Sequence, residues 1–232
     1  MSERLSIEAS GGSFSAYVAR PAAARAPAVL VIQEIFGVNA VMREVCDQLA
    51  SHCGYLAICP DLFWRLQPGV DITDQSQGEW DQALDLMGRF DVDQGVEDIR
   101  AAIDQVRRDP ACNGKVGAVG YCLGGRLAFL TATRTDSDAS VGYYGVGIEN
   151  YLGEAERLAQ PLMLHIAEED GFVPKKAQAR IIAALKDHPQ VTLHTYPGRD
   201  HAFARPGGAH FDQKDAGLAN DRTVAFFKKY LG

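Results

Sequence analysis

The sequence predicts an α/β fold: a mostly parallel central sheet with helices on both faces. Short, continuously apolar runs such as Ala28-Val29-Leu30-Val31-Ile32-Gln33 alternate with stretches of helical period, and no linker or repeat interrupts them. One of the strand-to-helix turns is the glycine-bounded Gly120-Tyr121-Cys122-Leu123-Gly124. With 232 residues, 47% of them hydrophobic, the chain can bury one full core, so a single domain over 1–232 is expected.

The elements follow in order. A first strand is expected at 13–20, and the β-branched run at 28–33 reads as a central, fully buried strand. A helix over 40–53 leads to a strand at 55–59. Residues 63–78 are polar, contain Pro68-Gly69 and lack periodicity, so they read as an excursion over the active-site edge. Helices follow at 79–89 and 93–108, the second stopping before Pro110 as a helix must. The strand Lys115-Val116-Gly117-Ala118-Val119 enters the glycine-bounded turn, whose helix opens at Leu123. Strands at 139–144, 161–167 and 191–196 alternate with a helix at 175–187, and a final helix covers 215–230. No separate lid domain is expected.

The turn at Cys122 reads as a nucleophile elbow. A reversal this sharp strains the backbone, so glycines flank the nucleophile as they do in Gly-x-Ser-x-Gly hydrolases. A cysteine at the start of a helix meets free N–H groups and the positive end of the dipole, which favour a thiolate and then an oxyanion. Such a nucleophile needs a base and an orienting acid, in the chain order nucleophile, acid, histidine. Asp170 follows the strand ending at Ala167, and His201 follows the strand ending at Tyr196. Each lies in a loop beyond a strand, where open α/β sheets bind ligands. Taken singly, Asp170 could instead cap the helix near Pro174, His201 could be a surface turn residue, and Cys122 a packed small side chain.

These residues, together with Gln33-Glu34-Ile35-Phe36-Gly37-Val38-Asn39, Cys59-Pro60-Asp61-Leu62, Val141-Gly142-Tyr143-Tyr144-Gly145-Val146-Gly147 and His201-Ala202-Phe203-Ala204-Arg205, carry a resemblance. The chain resembles the dienelactone hydrolases of the α/β-hydrolase superfamily over nearly its whole length. The resemblance implies an α/β-hydrolase fold and an ester hydrolase with the triad Cys122, Asp170 and His201. It also implies hydrolysis of an enol-lactone through a thioester.

Glu34 lies in the loop that supplies the second oxyanion N–H in this fold, from Ile35, the first coming from Leu123. Read alone, its carboxylate is either an ion-pair partner, for instance of Arg43 or Arg126, or a catalytic group. The resemblance implies that it holds the resting thiol and takes its proton once substrate binds. Arg205 matches an arginine that in the family holds the substrate carboxylate. A second family arginine, however, is replaced here: Trp80, Leu84 and Met87 stand in that region, sharing one helical face that is either core packing or a more apolar pocket wall. Phe36, Tyr143 and Tyr144 are placed with the pocket, the tyrosines as hydroxyls near the oxyanion. The substrate is thus either a dienelactone or a broader range of aryl and alkyl esters.

The net charge of −7 comes without a basic stripe, which argues against nucleic acid as a partner. No apolar run approaches membrane-spanning length, and the N-terminal stretch from Met1 lacks an apolar signal core, so a cytoplasmic monomer is expected. Five cysteines without paired spacing imply a reducing compartment, and six histidines without a metal-binding pair imply neither metal nor cofactor. His165, inside an apolar strand, reads as a satisfied core residue. A dinucleotide-binding reading of the glycine turn fails, because Gly120, Gly124 and Gly125 do not make Gly-x-Gly-x-x-Gly. A non-catalytic binding protein would tolerate loss of a triad member, and none is lost.

Overall fold

The computed structural model describes residues 3–232; Met1 and Ser2, which open the N-terminal stretch read above, lie outside the described residues. By their internal contacts, the residues up to Ala118 and those from Val119 onward form two compact units.

The first unit holds β1 (Glu3–Ala9), β2 (Gly12–Ala19), β3 (Ala26–Ile32), α1 (Ala40–Ser51), β4 (Leu56–Pro60), α2 (Gln77–Arg89), α3 (Val92–Arg107) and most of β5 (Cys112–Tyr121). Its strands lie in the order β1-β2-β4-β3-β5. The pairs β1–β2 and β2–β4 are antiparallel, whereas β3 and β4 run parallel, with Ala28 opposite Leu56. Strand β1 was not expected from the sequence. It is a charged edge strand in which Ile7 alone is fully buried, and it turns into β2 through Gly11 and Gly12, both at positive φ.

Helix starts follow local chemistry. Asn39 accepts a hydrogen bond from Met42 N–H at 3.1 Å, and Asp91 one from Gln94 N–H at 3.0 Å. Ser76 and Glu79 bond reciprocally in a capping box at the start of α2. The excursion before that helix is irregular, as expected, but tied down. Val38 N–H donates to Val70 O and Ile72 N–H to Phe36 O, while the Asp61 carboxylate accepts from Phe63 and Gly69 N–H. Gly37 sits at φ +76, and a Cβ there would lie 2.0 Å from Val70 O.

The second unit opens with the last residues of β5 and continues through α4 (Leu123–Arg134), β6 (Ala139–Tyr143), two short 3-10 turns, β7 (Leu162–Ala167), α5 (Lys175–Leu185), β8 (Val191–Tyr196) and α6 (Gln213–Tyr230). Its strand order is β5-β6-β7-β8, with β6–β7 and β7–β8 parallel and Ala167 opposite Tyr196. Helix α6 is pinned to these strands through buried polar groups. His165 shares hydrogen bonds with Tyr196 Oη at 2.8 Å and Thr223 Oγ1 at 3.0 Å, so it is a satisfied core residue. Burial, with His194 and Arg222 nearby, holds its pKa well below the usual histidine value. No helix among the described residues is long and apolar enough to cross a membrane.

A buried carboxylate of the first unit, Asp98 on α3, is held by ion-pair and indole partners. Its carboxylate accepts from Arg65 at 2.8 and 3.0 Å and from the Trp64 indole at 2.8 Å. Removing it strands a partly desolvated guanidinium and an indole N–H. Asp98→Ala is expected to lose roughly 2 kcal/mol, read as a lower urea midpoint at unchanged slope. A midpoint equal to the parent's would show the pair to be energetically neutral.

Candidate active site

Between β5 and α4 the chain reverses at Cys122, whose backbone is held at φ 57, ψ −114. A non-glycine residue rarely adopts positive φ, and here the surroundings impose it. Cys122 N–H donates to Tyr143 O at 3.1 Å, while its carbonyl accepts from Gly125 and Arg126 N–H at 3.0 and 3.3 Å. The glycines are steric necessities. A Cβ on Gly120 would lie 1.9 Å from Gly124 O, and one on Gly125 would lie 2.4 Å from Tyr143 O. The N–H of Leu123, first residue of α4, has no acceptor within the helix and stands beside the sulfur's residue. Arg126, one turn on, is partly buried, and its Nε has no hydrogen-bond partner among the described residues, which leaves positive charge near the sulfur.

Asp170 lies three residues past β7 and is buried. Its Oδ1 accepts from Phe172 N–H at 2.8 Å and Val173 N–H at 3.1 Å. Helix α5 is capped at Pro174, so Asp170 is not its cap. Its carboxylate faces His201, whose Nδ1 is 3.1 Å from Oδ1 and 3.0 Å from Oδ2. His201 follows β8 and is buried, its ring edge-on to Tyr144 at 5.1 Å and Phe172 at 4.8 Å. Its ring also hydrogen-bonds the Cys122 sulfur. Burial disfavours the imidazolium, but negative charge on Cys122, the bond to Asp170 and the bond to the sulfur outweigh it and push the pKa up to about 10.

The other sequence-derived positions divide. Tyr144 stands against the His201 ring, but the Tyr143 hydroxyl is committed elsewhere. That hydroxyl donates to Asn220 Oδ1 at 3.0 Å and shares a 2.6 Å bond with Thr223, so Tyr143 is a fully buried anchor for α6 rather than a pocket hydroxyl. Arg205 is half-buried in the turn after His201, its backbone N–H donating to Ala202 O at 2.9 Å. In the first unit, Glu34, Ile35 and Phe36 are all buried just past β3. Arg43 is committed to Asp71 and Val38 O, both at 2.6 Å. Trp80 packs edge-on to Phe36 at 5.1 Å and donates its indole N–H to Asp74 O. The core face of α2 is Ala83 and Leu86; Leu84 is 48% exposed and Trp80 and Met87 are half-buried, so these three are not core packing.

Two contributors escaped the sequence. Phe172 flanks the His201 ring, and Asp200 accepts the N–H of His201 and of Gly171. An acid directly before the histidine was the available signal for Asp200.

If the sulfur's charge sustains the imidazolium, an NMR titration of His201 in the parent should show a midpoint near 10. In Cys122→Ala, which removes that charge, the midpoint should fall. An unchanged midpoint would mean that the sulfur carries no part of the shift.

Comparisons with known proteins place the chain in a family. The family model of the dienelactone hydrolase family matches residues 14–231. A protein of Azospirillum brasilense is 54% identical over 225 residues, covering 95% of each chain. The carboxymethylenebutenolidase of Pseudomonas putida is 42% identical over 227 residues, covering 97% of this chain and 96% of the relative. A solved structure from Klebsiella pneumoniae superimposes with a TM-score of 0.87 at 28% identity, covering 99% of both chains. The chain therefore belongs to the dienelactone hydrolase family and is a hydrolase acting on ester bonds.

Proposed function

We propose that the chain hydrolyses enol-lactones of the dienelactone type, as a carboxymethylenebutenolidase does, through the triad Cys122, His201 and Asp170. The observation that carries the reading is the hydrogen-bonded line from Asp170 through His201 to a sulfur held in a positive-φ elbow. Cys122 sulfur attacks the acyl carbon, and the oxyanion forms against the N–H of Leu123 and, by family resemblance, of Ile35. The carbon–oxygen bond breaks, and the enolate leaves with a proton from the His201 imidazolium. The sulfur is then a neutral thioester, so the charge that raised the His201 pKa is gone. The freed imidazole can now take a proton from water, which hydrolyses the thioester and returns thiol and acid.

An enolate leaves readily, whereas an amide nitrogen would need strong protonation; esters and lactones are therefore the fitting class. Glu34 is proposed, on family resemblance and the burial of its carboxylate, to take the thiol proton when substrate binds, so that the sulfur charge facing the His201 imidazolium arises in that step. In single-turnover measurements Cys122→Ala should lose hydrolysis by at least about three orders of magnitude. Glu34→Gln should slow acylation far more than deacylation. Unchanged acylation would leave His201 as the acceptor of the thiol proton.

Substrate preference is proposed to rest on Arg205 without the family's second arginine, where Trp80 stands. One guanidinium attracts a carboxylate but fixes its angle less well than two. Arg205→Ala is expected to lower kcat/KM for dienelactone relative to a neutral aryl ester by about tenfold, and Trp80→Arg to raise that ratio. If neither ratio moves, recognition of the carboxylate lies elsewhere.

A further inference from the structure

We propose that Asp200 is a positioning residue that holds the loops of Asp170 and His201 in register. The inference rests on the triad reading above. Strands β7 and β8 pair as far as Ala167 opposite Tyr196. Main-chain bonding continues past the strands, with Glu168 N–H donating to Tyr196 O and Glu169 N–H to Arg199 O at 2.8 Å. Two residues further along each loop stand the N–H of Gly171, directly after the triad acid, and the N–H of His201 itself.

Asp200 Oδ1 accepts both, at 2.9 Å from Gly171 and 2.6 Å from His201. One carboxylate oxygen thus closes the gap at the place where the two triad loops need a fixed separation. Oδ2 is held from outside by His210 Nδ1 at 2.9 Å, which turns Oδ1 inward. The chain then reverses at Ala202, φ 61, so His201 has a strained neighbour on one side and this clamp on the other.

The carboxylate is half-exposed, so water could replace it as an acceptor. Water would satisfy the two N–H groups without fixing the distance between them. The role of Asp200 is therefore geometric, and an amide oxygen at the same place should serve. The energetic lever is alignment: about 1 Å of misplacement in a catalytic group can cost roughly 100-fold in rate.

The test compares the parent, Asp200→Ala and Asp200→Asn for aryl-ester hydrolysis and for the downfield NMR signal of the His201 Nδ1 proton shared with Asp170. Asp200→Ala should lower kcat by about 10- to 100-fold with KM little changed, and should shift or broaden the downfield signal. Asp200→Asn, which keeps an acceptor, should retain most of kcat and the parent's signal. Parent-like kcat and signal in Asp200→Ala would overturn the clamp. So would an Asp200→Asn enzyme that falls as far as the alanine variant, because charge rather than position would then be at work. If Asp200→Ala does not fold, the asparagine variant still decides between position and charge. The signal reads the clamp independently of turnover, so a parent that hydrolyses no ester while the signal follows this pattern would overturn the hydrolase reading and leave the clamp standing.

Discussion

Everything in the second unit's site depends on one backbone conformation, the positive φ at Cys122. Left-handed conformations cost a side-chain-bearing residue about 1–3 kcal/mol, so the fold must over-determine them. Here β6 accepts the Cys122 N–H, the first turn of α4 grips its carbonyl, and two glycines leave room that any Cβ would close. The strain also sets Cys122 directly before the first turn of α4, whose leading N–H groups have no acceptor within the helix.

Asp170 and His201 are brought together by sheet geometry. Parallel pairing of β7 with β8 brings their C-terminal ends side by side, so the loops carrying Asp170 and His201 leave the sheet as neighbours. The connection through α5 lets residues 31 positions apart share a hydrogen bond. Asp170 is in turn fixed by two backbone donors from its own loop, which leaves its carboxylate one orientation in which to meet the imidazole.

Much of this was legible in the sequence, and the exceptions have physical reasons. The parallel strands were readable because burial on both faces makes them continuously apolar, as in 28–33. The elbow was readable because steric exclusion prescribes glycine, and the positions of Asp170 and His201 because each follows an apolar strand. Strand β1 was not readable: as a solvated edge strand it buries only Ile7 completely, and its charged residues mask the alternation. The Tyr143 hydroxyl was misplaced because successive residues on a strand face opposite sides. Tyr144 takes the side of His201, and Tyr143 is left to α6. The exposure of Leu84 was hidden because one helical period serves equally for a buried and an open face. Asp200 was invisible as a clamp because its partners are backbone N–H groups from two loops, and such partners leave no trace in residue identity.

The two buried histidines of the second unit carry opposite consequences for the fold's tolerance of pH. His165 is held neutral by burial, so the unfolded chain binds its proton more readily, and stability that is present above about pH 6.5 drains away as pH falls. His201 is burdened by the same burial, but charge on the Cys122 sulfur and the bond to Asp170 raise its pKa; where the sulfur is charged, its contribution is complete below about pH 6.5 and is lost as pH rises through about 10. The contribution of one imidazole is therefore lost toward acid and that of the other toward base. Because the second depends on charge at Cys122, any change that removes that charge lowers the pH at which the His201 contribution is lost.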